Sequence, residues 1–253
     1  MNNTIIEEFK RISFLCWIPS VNKGTGSVGL TFENELNKNP DSLFFPDYNG
    51  FEIKCSTRYS RFPHSLFSIA FDGPSFPEIN RLIDLYGYND YMFTGKKVLK
   101  VDIDALNTNK GGNYKFKFKV DRNENKLYLE IYDLNDNFIE RKSFVYLDNL
   151  ISRLQLKLSN LVIINASRKK IANKEFFRYY ELKLYELRDN DLFIKLLEEG
   201  KIIATLESRI GKSGDFYGKY KNKNLVFKIK REYLEELFTK KYCLNTDKEN
   251  LWP

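Results

Sequence analysis

The sequence predicts a mixed α/β (α+β) fold in which a central sheet is flanked by helices. Segments with the apolar spacing of helices and segments of strand length follow one another without strict βα alternation. Glycine, asparagine and aspartate cluster between these segments, as expected for turns. The chain has 253 residues, of which 42% are hydrophobic and 30% are charged. This size and balance indicate a globular protein with a sizeable core.

Six segments show the apolar spacing of helices. The first carries Ile5, Phe9 and Ile12 on one stripe and stops before Pro19. Gly87 is well placed to end the third helix. The predicted helices are 4–17, 28–36, 76–86, 147–158, 191–199 and 231–238.

Strands are predicted where short apolar or alternating runs are bounded by turn residues. The segment 176–187 is rich in aromatics with a period of two, which favours a buried strand over a base-stacking surface. A turn of sequence Pro-Asp-Tyr-Asn-Gly at 46–50 separates the first two strands. The predicted strands are 44–45, 50–56, 66–71, 98–103, 114–120, 126–132, 138–145, 161–166, 176–187, 202–210 and 225–229.

Several classes of protein are excluded by simple features. No apolar run approaches ~18 residues, so no membrane span is expected. The N-terminal residues lack a basic segment followed by an apolar one, so no secretory signal is expected. The three cysteines, Cys16, Cys55 and Cys243, are scattered and odd in number. This argues against a disulfide framework and a zinc cluster, and it predicts a protein of the reducing cytoplasm.

The positive charge is concentrated in one segment. The net charge of the chain is +7. Residues 1–150 have a net charge of −1, whereas residues 151–253 have a net charge of +8. Within the second part, residues 208–231 carry eight cations and the single acid Asp215. A polyanionic partner such as nucleic acid explains this segment, and a solvated lysine-rich surface is the alternative.

The shortage of histidine limits the chemistry available. His64 is the sole histidine, which excludes a multi-histidine metal site and a histidine triad or dyad unless His64 is the base. With the cysteines scattered, oxygen ligands remain, and these favour Mg²⁺. The glycine-rich loop 24–29 lacks the Gly-Lys-Ser/Thr ending of a P-loop, so a nucleotide site is not expected.

The segment 45–54 carries a more informative pattern. Asp47 lies in the turn, and Glu52 and Lys54 lie two residues apart on the following strand, so they share one face. Two carboxylates can bind Mg²⁺, and a lysine can orient or help to deprotonate the water that attacks a phosphodiester. A surface turn beside an edge strand is the alternative interpretation of the same spacing.

The spacing Glu-x-Lys is not specific by itself, because it recurs along the chain. Four competing pairs begin at Glu124, Glu140, Glu181 and Glu199. The pairs at Glu124 and Glu140 lie in or beside predicted hairpin turns, where polar surface residues are common. Only the pair at Glu52 combines an upstream turn carboxylate, a short loop and an apolar strand.

Five motifs in the same order resemble a known family. They are Gly24-Thr25-Gly26-Ser27-Val28-Gly29-Leu30-Thr31-Phe32-Glu33, then Pro46-Asp47 through Lys54, then Leu82 to Tyr88, then Val120 to Leu127, and finally Phe193 to Ile202. Over roughly residues 20–240 the chain resembles the MvaI/BcnI family of type II restriction endonucleases, in the MutH-like branch of the PD-(D/E)xK nucleases. The resemblance implies a restriction-endonuclease-like fold with two lobes around a DNA cleft.

The resemblance also implies an activity and a site. It implies Mg²⁺-dependent hydrolysis of double-stranded DNA at a short, (pseudo)palindromic sequence, with Mn²⁺ as a substitute metal. Asp47, Glu52 and Lys54 correspond to the active centre, with Glu33 as a supporting acid, and Asp47, Glu52 and Ile53 to the metal ligands. A solvated helix face is the alternative for Glu33. Action as a monomer and pairing with a cognate DNA methyltransferase are further implications.

The C-terminal segment departs from the family pattern. The family carries histidines and an arginine where this chain has lysine and asparagine at 219–229, so the target sequence cannot be carried over. Lysine and asparagine can still read guanine and adenine edges. If extended, Lys219, Lys221 and Lys223 project from one side. The predicted DNA-binding residues are Arg58, Arg61, Arg209, Lys212, Lys219, Lys221, Lys223, Lys228 and Lys230.

The expected organisation is one domain, 1–253, with a catalytic lobe at about 1–120 and a basic recognition lobe at 121–253. Two other functions remain open at this stage. One is a MutH-like endonuclease that nicks a single strand. The other is a non-catalytic DNA-binding protein with a vestigial nuclease site, which the intact Asp47, Glu52 and Lys54 argue against.

Overall fold

The architecture was analysed in a computed structural model, which describes residues 2–24, 26–37, 45–57, 60 and 62–247. Within these ranges the chain forms α-helices and two short 3₁₀ turns, at Gly214–Phe216 and Arg231–Tyr233. None of the helices in these ranges is long and apolar enough to cross a membrane. The α-helices are α1 (Asn2–Phe14), α2 (Ser27–Glu35), α3 (Glu78–Tyr86), α4 (Leu147–Leu158), α5 (Asn190–Glu198) and α6 (Leu234–Leu237).

The strands of the described residues make three sheets. In chain order the strands are β1 (Ile18–Pro19), β2 (Glu52–Thr57), β3 (His64–Ile69), β4 (Tyr88–Asn89), β5 (Lys97–Ile103), β6 (Asn109–Gly111), β7 (Tyr114–Asp121), β8 (Lys126–Tyr132), β9 (Phe138–Glu140), β10 (Phe144–Tyr146), β11 (Asn160–Ile171), β12 (Lys174–Leu187), β13 (Ile202–Ile210), β14 (Tyr220–Ile229) and β15 (Phe238–Asn245).

The chain divides into two compact units, each assembled from separate segments. Unit 1 comprises residues 1–62, 155–188 and 238–253, and unit 2 comprises residues 63–154 and 189–237. The units therefore do not coincide with the lobes 1–120 and 121–253 drawn from the sequence. The organisation as a single domain with those lobes stays a prediction.

Unit 1 is built on a mixed sheet in the order β1-β12-β11-β2, with β15 also paired to β12. The long strands β11 and β12 are antiparallel, and β2 runs parallel to β11 from Glu52–Leu161 to Thr57–Ala166. Within the described residues, β2 is an edge strand with one neighbour. This position leaves its outer backbone groups available to the turn that precedes it.

One face of the unit 1 sheet is apolar and carries the core. Apolar side chains of α1 and α2 pack there against the strands. Phe32 of α2 meets Tyr179 of β12 edge to face, with ring centroids 5.0 Å apart, and the Tyr179 hydroxyl donates to the carbonyl oxygen of Val28 at 2.7 Å. Because residues alternate along a strand, the opposite face carries Glu52, Lys54 and Ser56.

Unit 2 contains two antiparallel sheets. One has the order β3-β14-β13-β5-β4, and the other has the order β10-β8-β7-β6 with β9 paired to β8. A largely buried ionic network connects α3 to β9: the Arg81 guanidinium contacts Glu78 of its own helix at 2.6 Å and Glu140 of β9 at 2.7 Å. Burial opposes the charge of Glu78, but hydrogen bonds from Arg81, Ser143 and Ser75 hold its pKa below the ordinary value.

The mixed α/β class is confirmed, and most predicted elements are present within a few residues. Gly87 ends α3 as expected. Glycine is needed here because the backbone lies so close to the Ile83 carbonyl oxygen that a Cβ would collide with it. The predicted strand 138–145 is wrong as one element. It forms the short strands β9 and β10, since Glu140 and Ser143 turn toward Arg81 instead of continuing the ladder.

The C-terminal prediction is also wrong in part. The predicted helix 231–238 is a 3₁₀ turn followed by the single helical turn α6, and the strand β15 was not foreseen. β15 has no period-two burial, since its middle residues are all exposed. It is held by backbone pairing to β12. The pattern of apolar and polar side chains does not reveal such pairing. Of the predicted strand 44–45, Phe44 lies outside the described residues and Phe45 is not in a strand.

Candidate active site

A two-residue turn brings Asp47 back to the strand that follows it. Asn49 and Gly50 both have positive φ, at 45° and 83°, the conformation of a type I′ turn. Tyr48 and Phe51 exchange both backbone hydrogen bonds, at 2.8 and 2.9 Å. The chain therefore reverses, and the backbone N–H of Ile53 donates to the Asp47 carboxylate at 2.9 Å.

The same contact determines where the Ile53 carbonyl lies. In a strand the N–H and C=O of one residue point to the same side. Because the Ile53 N–H faces Asp47, its carbonyl oxygen also faces the outer edge of β2. The side chain of Ile53 is buried in the core, so only its backbone is available to a ligand.

Glu52 is the most deeply buried member of the predicted site, with 1% exposure. Its Oε1 accepts a hydrogen bond from the Lys54 ammonium, as the shared face predicted. A second ammonium, that of Lys157 at the end of α4, lies 3.4 Å from the same oxygen. The other oxygen, Oε2, is buried and has no hydrogen-bond partner among the described residues.

The electrostatics of Glu52 follow from this arrangement. Burial raises the pKa of its carboxyl above the ordinary value, and the Asp47 carboxylate acts in the same direction. The Lys54 and Lys157 ammonium groups oppose this shift. Asp47, Glu52, Lys54 and Lys157 therefore form one coupled group of charges.

Glu33 lies on α2, which packs against β2, and its side chain is half-buried. Burial raises the pKa of the Cys55 thiol. The charges of Glu33 and Asp47 raise this pKa further, whereas the Lys54 ammonium lowers it. Glu33 therefore influences the electrostatics of β2 from the helix that packs on its apolar face.

The four competing Glu-x-Lys pairs also form ion pairs, but their carboxylates differ. Glu124 is half exposed. Glu140 is shared between Arg81 and Lys142, and Glu181 accepts from Asn165 and Asn245. Glu199 is fully occupied with lysines on the surface. Within the described residues, Glu52 is thus the one carboxylate that combines burial with an unpartnered oxygen.

Lys157 was missed by the sequence reasoning. It lies more than a hundred residues from Glu52, and no local motif marks it. Only its position in the last turn of an amphipathic helix is visible in the sequence. The pairing of β11 with β2 is what carries the end of α4 to Glu52.

The residues present fit a divalent metal ion. No group of three or more His, Cys, Asp or Glu side chains in the described ranges has metal-binding geometry. Mg²⁺, however, is usually bound through one or two carboxylates and otherwise by water and substrate phosphate. Asp47 and Glu52 supply two carboxylates, and the buried Oε2 of Glu52 has no hydrogen-bond partner within the ranges that the structure describes.

The predicted DNA-binding residues fall into three groups. Arg58 and Arg61 lie outside the described residues. Arg209, Lys212 and Lys221 line a groove of unit 2 with a volume of about 660 Å³. Lys219, Lys223, Lys228 and Lys230 lie on or beside β14.

The unit 2 groove combines cations with an exposed aromatic. Lys100 also lines the groove. Sequence reasoning did not predict this, because Lys100 lies on β5, about a hundred residues before the basic segment 208–231. The Lys212 ammonium lies 4.1 Å from the ring centroid of Tyr91, which is 81% exposed. The Lys221 ammonium lies 3.9 Å from the ring centroid of Phe216.

Not all of the predicted cations are equally available. Glu207 lies 3.6 Å from Arg209 and 3.3 Å from Lys223, and Asp102 lies 3.8 Å from Lys228. The register between β13 and β14 shifts between the pairs Ser208–Asn222 and Glu207–Asn224. Strict alternation therefore does not continue from Lys221 through Lys223.

The chain is similar to one known protein family and to solved structures of a restriction endonuclease. The profile of the MvaI/BcnI restriction endonuclease family matches residues 6–238. A solved structure described as a restriction endonuclease MvaI-cognate DNA substrate complex is 25% identical, with a TM-score of 0.89, over 94% of this chain and 96% of that chain. MvaI in the absence of DNA is 22% identical, with a TM-score of 0.58, over 93% and 94%. The comparison with curated proteins gave no match.

The fold and the matched family define a site-specific nuclease, a hydrolase that acts on DNA. The chain belongs to the MvaI/BcnI restriction endonuclease family, as the resemblance of its motifs implied. It is therefore a type II restriction endonuclease. Enzymes of this kind generally use divalent metal ions.

The contact of Lys157 with Glu52 leads to a test of stability. In the protein without metal, Lys157→Ala should lower the free energy of unfolding by about 1–3 kcal/mol, because it removes a cation from a buried carboxylate. Denaturant unfolding in EDTA measures this. Gln155→Ala, at an exposed position of the same helix, should change stability by less than about 0.5 kcal/mol. In a Glu52→Gln background, Lys157→Ala should have a clearly smaller effect; an equal effect would show that Lys157 acts elsewhere.

Proposed function

We propose that this endonuclease hydrolyses phosphodiester bonds of double-stranded DNA in a Mg²⁺-dependent reaction centred on Asp47, Glu52 and Lys54. The DNA sequence that it recognises is short and (pseudo)palindromic. The single observation that carries the proposal is the Glu52 carboxylate. One of its oxygens is held by two lysines, and the other is buried with no hydrogen-bond partner among the described residues.

Three groups of this chain are suited to hold the metal ion. They are the carboxylates of Asp47 and Glu52 and the backbone carbonyl of Ile53, which shares the outer edge of β2 with Asp47. A bound Mg²⁺ supplies positive charge at a phosphate oxygen and lowers the pKa of water. Mn²⁺, with similar oxygen preference, is a substitute.

Lys54 and Glu33 have separate roles in this proposal. The Lys54 ammonium is a quarter exposed and lies at Glu52 Oε1, so it can orient the attacking water or take part in its deprotonation. Glu33 is a supporting acid, and its charge adds to the negative potential around β2. Lys157 contacts the same Glu52 oxygen as Lys54 and helps to hold the carboxylate in place.

Unit 2 supplies cations for duplex DNA. Arg209, Lys212 and Lys221 line the unit 2 groove, and Lys219, Lys223, Lys228 and Lys230 extend the positive surface along β14. Lysine and arginine at such positions neutralise phosphates and can read guanine. The similar MvaI structure was solved with its cognate DNA substrate, which supports this use of the fold. Arg58 and Arg61, which follow the active strand, are proposed to contact DNA as well.

Two further proposals concern partners. The family resemblance favours action as a monomer and pairing with a DNA methyltransferase that protects the same site.

A MutH-like nickase and a vestigial site are the alternatives to double-strand cleavage. The intact charges around Glu52 favour catalysis over a vestigial site.

A plasmid assay distinguishes these functions. Supercoiled plasmid is incubated with the protein in Mg²⁺, in Mn²⁺ and in EDTA, and the products are separated on a gel. A site-specific endonuclease yields discrete linear fragments in Mg²⁺ and none in EDTA. Nicked circles alone would indicate the nickase, and unchanged plasmid would contradict a catalytic function.

Asp47→Asn tests the metal site. The change removes one carboxylate charge and keeps the side-chain shape, so cleavage in Mg²⁺ should fall by several orders of magnitude while DNA binding persists. Cleavage kinetics and a binding titration in EDTA measure the two effects. Wild-type cleavage by this variant would remove Asp47 from the mechanism.

Lys54→Ala tests the role of the lysine, with Lys126→Ala as a matched control. Both lysines form an ion pair with a glutamate two residues earlier, but only Lys54 lies at the buried carboxylate. Lys54→Ala should abolish turnover even at saturating Mg²⁺, and Lys126→Ala should leave cleavage nearly intact. If more Mg²⁺ restores the Lys54 variant, the lysine serves only metal affinity. An equal loss at Lys126 would show that the chosen triad is wrong.

A further inference from the structure

The β11–β12 hairpin extends beyond the edge strand that carries the active site. Within the described residues, β2 pairs with β11 as far as Thr57–Ala166, whereas β11 and β12 continue to the Ile171–Lys174 pair. Ala172 and Asn173 form the tip with positive φ, at 46° and 63°. The extension carries five cations and one acid, namely Arg168, Lys169, Lys170, Lys174 and Arg178 against Glu175.

Part of this extension lies on the same face of the sheet as Glu52 and Lys54. Lys54 pairs with Ile163, and Ser56 donates to Asn165 at 2.9 Å. Counting by twos along β11 from Ile163 leads to Lys169 and Ile171. Lys174, the cross-strand partner of Ile171, shares that face.

The acid and one lysine lie on the opposite face. Lys170 pairs with Glu175, and the Glu175 carboxylate accepts from the Ser27 hydroxyl at 3.0 Å and contacts Arg168 at 3.4 Å. Its negative charge is therefore directed away from Lys169 and Lys174. The face that continues the active-site surface is left with cations.

Trp17 holds one of these cations in place. The Lys169 ammonium lies 4.1 Å from the centroid of the Trp17 ring and 6.0 Å from that of Phe176. A cation–π contact orients the ammonium without cancelling its charge. Within the part of the chain that the structure describes, Lys169, Lys170 and Lys174 form no ion pair. We call Trp17, Lys169 and Lys174 the hairpin platform.

We propose that the hairpin platform contacts the phosphate backbone of the DNA duplex outside the recognition site. The proposal rests on the proposed function, because it takes the DNA at Glu52 and Lys54 as the reference point. Lys169 is six residues beyond Ile163, which is about 20 Å at the rise of a β-strand. Successive base pairs lie about 3.4 Å apart, so a contact at this distance falls at most about six base pairs from the scissile phosphate.

Salt-dependent binding tests the platform directly. Affinities for a duplex with a mapped cleavage site and long flanks are measured in EDTA at several salt concentrations. Each lost phosphate contact lowers the magnitude of the log-affinity versus log-salt slope by about 0.9. Lys174→Ala, at an exposed position, should lower it by that amount, and Lys169→Ala with Lys174→Ala by about twice as much. Lys170→Ala is the matched control on the opposite face and should leave the slope unchanged.

Shortening the flanks locates the contact. With flanks of about three base pairs, the magnitude of the wild-type slope should fall to that of the double variant. The slope of the double variant should be the same on long and on short DNA. Three results would overturn the platform: an equal effect of Lys170→Ala, an unchanged slope in the double variant on long DNA, or a difference that persists on short DNA. The salt slope can also be measured on a long duplex of arbitrary sequence, even if the protein does not cleave the plasmid. Failure of the proposed function is therefore distinguishable from failure of the hairpin platform.

Discussion

The proposed active site depends on the burial of the Glu52 carboxylate beside two ammonium groups. A buried carboxylate is costly unless it is paired, and here Lys54 and Lys157 meet at the same oxygen. This arrangement fixes the orientation of the side chain and leaves its second oxygen buried with no hydrogen-bond partner in the described part of the chain. Two carboxylates are balanced by two lysines, so the charges are held in place by the protein itself.

The position of β2 at the edge of its sheet makes this arrangement accessible. Its inner side is paired with β11, while its outer backbone groups are available to the turn at Asn49–Gly50. An unpaired edge is ordinarily a liability. In this chain the edge N–H of Ile53 is taken by Asp47, and the two faces of the strand separate the apolar core from the charged site.

Positive charge is divided among places that the chain order does not reveal. The unit 2 groove gathers Lys100, Lys212 and Lys221 from three separate segments. Part of the charge in the basic segment is already balanced, since Glu207 lies beside both Arg209 and Lys223. Fewer cations of the basic segment are therefore available to DNA than its lysine count indicates. Lys100, which lies outside that segment, adds to them.

The sequence by itself determined the α/β class, the family and the Asp47–Glu52–Lys54 group, because these depend on neighbours within a few residues. Periodicity locates helices, the Asn-Gly turn is local, and alternation places Glu52 and Lys54 on one face. Only the tertiary structure decided that Lys157 contacts Glu52 and that Glu207 pairs with both Arg209 and Lys223. It also decided that β15 joins the sheet of unit 1. Each of these depends on strand pairing or packing between distant segments, for which a single sequence has no local signal. The competing Glu-x-Lys pairs show the same limit. Among the described residues, burial and an oxygen without a hydrogen-bond partner, rather than spacing, distinguish Glu52 from them.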